Sequence, residues 1–80
     1  MEQSILYLLT KEAELCALAN DMEKEVKYYE AKMAMDGKLD EIDTCLYEDR
    51  KKRYASAVKR LPDARDSIRM KLKLYKKGLD

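Results

Sequence analysis

The side chains best suited to chemistry in this chain are cationic. Arg65, Arg69, Lys73, Lys76 and Lys77, with Arg50, Lys51, Lys52 and Arg53 upstream, are the residue types that neutralise phosphates. Tyr54 and Tyr75 lie among them and offer faces for base stacking. If Leu61-Pro62-Asp63 is the turn of a helix-turn-helix, Arg65, Ser67 and Arg69 are carried toward a groove. The nucleic-acid contacts expected on this reading are Arg65, Ser67, Arg69, Lys73, Lys76 and Lys77. The competing reading is a solvated face. Lys and Arg stems cover apolar surface, and a whole-chain net charge of +1 is not that of a strongly basic domain.

Other chemistry is poorly supplied. Histidine is absent, which removes the usual general base near neutral pH and the commonest metal ligand. Cys16 is flanked by Leu15 and Ala17, with no activating neighbour, and reads as a small apolar packing residue. Asp36-Gly37-Lys38-Leu39-Asp40 lacks the alternating acids and the closing Glu of a calcium loop, and no Gly-rich phosphate cradle exists. Neither a catalytic residue, a metal nor a cofactor is expected. The segment from Leu39 to Arg53 resembles the opening helix of the helical chorismate mutases through Ile42, Asp43, Leu46 and Arg53. That resemblance implies Arg53 as a clamp for a substrate carboxylate. Asp49 and Arg50 depart from the pattern, which wants apolar residues there, and no activity is carried across.

The elements that must position these residues follow from an uneven charge distribution. Residues 1–49 hold five Lys/Arg against thirteen Asp/Glu, net −8, whereas residues 50–80 hold twelve against three, net +9. The acidic part can fold onto the basic part, or the basic part can face an anionic partner. Two Gly and one Pro in 80 residues, with abundant Leu, Ala, Glu, Lys and Met, favour helix throughout.

From Ser4 to Met35, Ile5, Leu8, Glu12, Leu15, Ala19, Met22, Val26, Tyr29 and Met33 keep a 3-4 spacing, the seam of a left-handed helix pair. Ser4 can cap this helix and Gly37 can end it; Asn20-Asp21 is a second capping sequence, but the seam runs through it. A second helix runs from about Asp40, its N-cap, to Arg60. Its apolar face is Ile42, Cys45 and Leu46 at the start, and Tyr54, Ala57, Val58 and Leu61 at the end. If the chain turns at Asp36-Gly37, facing residue numbers sum to about 75, and Arg50–Arg53 meet Asp21, Glu23 and Glu25. Pro62 predicts a break, followed by a third, basic helix from Ala64 to Lys77 with Ile68, Leu72, Tyr75 and Leu79 as its stripe.

The fold expected is one all-α domain over 1–80: an antiparallel, coiled-coil-like helical hairpin plus a third Pro-separated basic helix, forming a small bundle. The function expected is that of a non-enzymatic protein–protein interaction module, a small adaptor, regulator or assembly factor that self-associates. Its contacts would be Ile5, Leu6, Leu9, Tyr28 and Leu74. Nucleic-acid binding through the basic region is the alternative. With no secretory h-region, no spanning segment and two cysteines placed too far apart to bridge, a cytoplasmic setting is expected.

Overall fold

A computed structural model describes residues 3–78, which form two long helices, α1 (Gln3–Asp36) and α2 (Glu41–Lys76). Their ends are chemically marked. α1 stops because Gly37 takes φ +82°, a left-handed conformation that side chains resist, and its N–H donates to the Met33 carbonyl at 2.7 Å. α2 starts on Asp40, whose carboxylate accepts from the Asp43 N–H at 2.7 Å while its carbonyl accepts from Thr44 Oγ1 at 2.8 Å. Glu41 and Asp43 in the first turn of α2, with Lys73 and Lys76 in its last, oppose the helix dipole; α1 carries no such charges in its end turns. Gly78, at φ +72°, follows the C-cap Lys77.

The chain doubles back over the loop at residues 37–40, so α2 runs antiparallel along the whole of α1 in a rod of 59 × 16 × 16 Å. The register is fixed by cross-helix contacts. Lys32 reaches Asp43 at 2.5 Å, Tyr47 Oη reaches Glu30 at 3.2 Å, Arg50 reaches Glu25 at 3.3 Å and Arg65 reaches Glu12 at 3.2 Å. Facing numbers therefore add to between 75 and 77, close to the sum anticipated from the sequence. Every residue of the α1 seam, Glu12 included, is buried or half-buried. In α2 the matching seam is Asp43, Tyr47, Arg50, Tyr54, Ala57, Leu61, Ala64 and Ile68, again at 3-4 spacing and again buried or half-buried. Ala19 and Ala57 are buried and face each other at mid-length, where small side chains let the backbones approach. Ile5 and Ile68 close the core at one end and Tyr29 at the other. With five buried residues among those described, the core is thin, as expected for a chain this short.

Three sequence expectations are corrected. Among the described residues there is no third helix: Pro62 sits inside α2, which continues unbroken to Lys76. Pro fixes φ near the helical value, so what it costs is a hydrogen bond to the Val58 carbonyl and a steric contact with that residue's backbone. The seam explains why α2 absorbs that cost: Ala57, Leu61, Ala64 and Ile68 keep one spacing across Pro62, and a break would pull one side off α1. The same seam displaces Ile42, Cys45 and Val58, all exposed, in favour of Asp43, Tyr47 and Arg50, whose polar ends reach α1 while their stems pack. Ser4 lies within α1 rather than capping it, and α1 runs straight through Asn20-Asp21. Leu79 lies outside the described residues.

Candidate interaction surfaces

The antiparallel seam divides the rod into two flanks. Arg65 defines one: its guanidinium lies 3.2 Å from Glu12 and 3.7 Å from Cys16 Sγ, and the Cys16 thiol donates to Glu12 at 3.2 Å. The opposite flank holds a groove of about 680 Å³ between the helices. Its apolar base is Leu15, Leu18 and Ala64; Lys11, Glu14, Arg60 and Asp63 rim it, and Tyr7 and Ser67 close it at the end away from the loop.

Helical spacing carries Tyr7, Tyr28 and Met35 of α1, and Ile42, Met70 and Leu74 of α2, onto the groove flank. These are six of the ten large apolar side chains exposed among the described residues. They fall into two groups. Tyr28, Met35 and Ile42 lie toward the loop, here called the tip; Tyr7, Met70 and Leu74 lie toward the open end, where Gln3 and Lys76 sit. Tyr28 is 60 % exposed yet oriented, its ring standing edge-on to the buried Tyr29 with centroids 5.1 Å apart.

The five contact residues expected from the sequence are thereby separated. Tyr28 and Leu74 share the groove flank at opposite ends. Leu6 and Leu9 lie on the Arg65 flank at the open end. Ile5 is 0 % exposed, sealed between the helices, and is corrected from a contact residue to a core residue.

The basic candidates are separated too. Arg65 is held against Glu12, and Arg69 pairs with Asp66 in its own helix at 2.6 Å. Ser67 lines the groove on the other flank from Arg65. Lys73, Lys76 and Lys77 are exposed around the end of α2. Because Pro62 is inside a helix, the helix-turn-helix arrangement that was to aim Arg65, Ser67 and Arg69 together does not form. The facing of Arg50–Arg53 on acids of α1 reduces to one pair, Arg50 with Glu25, whose buried Nε lacks a well-aligned hydrogen bond. Arg50 also contacts the neighbouring Asp49, to which Arg53 bonds at 2.9 Å, while Lys51 lies over the Tyr47 ring at 5.1 Å. Arg53 is thus committed to an intrahelical partner.

Electrostatic perturbations follow these pairs. Glu12 is held below the ordinary carboxylate range by the Cys16 thiol donating to it and by Arg65. Asp49 is lowered chiefly by its hydrogen bond from Arg50, and Lys32 is raised by Asp43. No cluster of three His, Cys, Asp or Glu able to hold a metal occurs among the described residues, and no helix there is long and apolar enough to cross a membrane. Both cysteines are free, Cys16 half-buried and Cys45 exposed.

The charge split of the sequence becomes a longitudinal one. Residues 36–49, at the tip, carry Asp36, Asp40, Glu41, Asp43, Glu48 and Asp49 against Lys38, net −5. Residues 65–77, at the open end, carry Arg65, Arg69, Lys71, Lys73, Lys76 and Lys77 against Asp66, net +5. Comparison with known protein families, with curated proteins and with solved structures finds no match for this chain.

Proposed function

We propose that the hairpin is a non-enzymatic protein-interaction module, a small adaptor, regulator or assembly factor, with the groove flank as its main contact surface. The observation that supports this most directly is the gathering of six of the ten exposed large apolar side chains on one flank of a rod with a thin core. Such a chain gains stability by covering that flank with another protein surface. Leu6 and Leu9 form a second, smaller patch on the opposite flank. The test is a paired substitution, Tyr28→Glu with Leu74→Glu, read by solution mass and by capture of binding proteins. Loss of association with helicity retained supports the reading; unchanged mass and unchanged capture reject it.

Nucleic-acid binding is the second reading, favoured by Lys52, Lys59 and Lys73, which recur at multiples of seven along the outer side of α2 and make no ion pair. It predicts association with RNA or DNA that falls steeply with salt. Binding that ignores ionic strength excludes it.

A further inference from the structure

We infer that the groove flank binds a second copy of this chain in a two-fold, antiparallel stack, tip against open end, making a four-helix bundle. The inference rests on the interaction reading above and names its partner. Three observations converge on it.

The first is charge. A two-fold axis perpendicular to the rod places the net −5 tip of each copy beside the net +5 open end of the other, twice over. The alternative stack, with both tips at one end, places like charge on like charge at both ends. The second is apolar complementarity. The two exposed groups lie near opposite ends of the flank, so the same rotation sets Ile42 of one copy against Met70 and Leu74 of the other. The third is shape. With the midpoints of α1 aligned, between residues 19 and 20, Tyr28 of each copy meets the other copy at Lys11, inside the stretch of α1 that walls the groove. Tyr28 is held edge-on by Tyr29, so little rotamer freedom is lost when its ring packs against that wall. The outline of the flank, 59 × 16 Å, sets an upper limit of roughly 900 Å² per copy, enough to hold the roughly 800 Å² per partner of a standard stable interface.

The experiment combines mass and cross-linking. The parent should sediment at twice the chain mass at about 100 μM, a concentration that reveals even weak dimers. Tyr28→Glu should be monomeric with unchanged helicity, and Leu6→Glu, on the opposite flank, should remain dimeric. In a background with Cys16→Ser and Cys45→Ser, mixed Ile42→Cys and Met70→Cys chains should oxidise to the 42–70 heterodimer in preference to either homodimer. Within one copy these positions are about 40 Å apart at helical rise, so the bond reports the stack alone. A monomeric parent, a dimer broken by Leu6→Glu, or dominant 42–42 and 70–70 products overturns the inference. A monomeric parent that still captures another protein through Tyr28 overturns the dimer and leaves the interaction reading in place; loss of both overturns both.

Discussion

Replacing Pro62 with Ala tests the continuity of α2 directly. In a helix that runs from Glu41 to Lys76, Pro62 leaves the Val58 carbonyl without its N–H partner and sets its ring against the preceding turn. Both residues are exposed, so water can satisfy part of the loss and no packing is forfeited when the ring is removed. The restored hydrogen bond is worth about 1 kcal/mol. Relief of the steric contact adds on the order of 1 kcal/mol more, somewhat below the ~3 kcal/mol that separates Pro from Ala in helix interiors. Ala gives back some unfolded-state entropy, about 0.5 kcal/mol, leaving a net gain of about 1.5 kcal/mol. Urea unfolding followed by circular dichroism at fixed protein concentration measures it. With a slope of about 1 kcal/mol per M, the midpoint should rise by roughly 1.5 M with the slope unchanged. An unchanged or lower midpoint would mean that the chain bends at Pro62 and that Ala64–Lys76 does not share one helix with Glu41–Leu61.

Other perturbations have equally definite outcomes. Ile5→Ala empties a fully buried site and should cost about 2–4 kcal/mol in the same assay, whereas Leu6→Ala, next to it and half exposed, should cost well under 1 kcal/mol. Asp40→Ala removes the α2 cap and should lose about 1 kcal/mol, most of it recovered by Asp40→Ser. Glu12 has its pKa depressed in the folded chain, so its contribution is complete above the ordinary carboxylate pKa and is lost as pH falls through the lower, folded value. Acid titration of stability should therefore show a loss beginning near pH 4–5 that is smaller in Glu12→Gln, with the two chains parallel above that window. Gly37→Ala meets no neighbouring atom but must hold φ +82°, and a loss of about 1 kcal/mol is expected from the backbone alone.

The hairpin, its turn and its register were legible in the residues. The 3-4 spacing from Ile5 to Met33 specified one stripe, Gly37 and Asp40 punctuated the turn, and the register placed Arg50 near Glu25. The later part of the α2 seam, Tyr54, Ala57, Leu61 and Ile68, was legible too; its first part was not, because Asp43, Tyr47 and Arg50 occupy it with polar side chains while Ile42 and Cys45 beside them look apolar and are exposed. A search for the position partnering each α1 seam residue, rather than for hydrophobicity in α2 alone, would have found it. The groove flank was missed for the same reason. Tyr7, Met35, Ile42 and Met70 share a face only once both helices and their rotation are fixed.

What the sequence determined by itself is mostly local: helix formers, caps, a left-handed glycine and one apolar stripe are properties of residues within a few positions of each other, and the register followed because so short a turn leaves the facing positions little choice. Tertiary structure decided the rest. Whether Pro62 breaks or merely burdens its helix depends on what α1 offers to both sides of it. Whether opposite charges neutralise across the seam or polarise the rod depends on which residues rotation brings face to face. Three cross-helix ion pairs form among the described residues, and the remaining imbalance is distributed end to end, because a side chain on the outer side of a helix cannot reach the helix behind it.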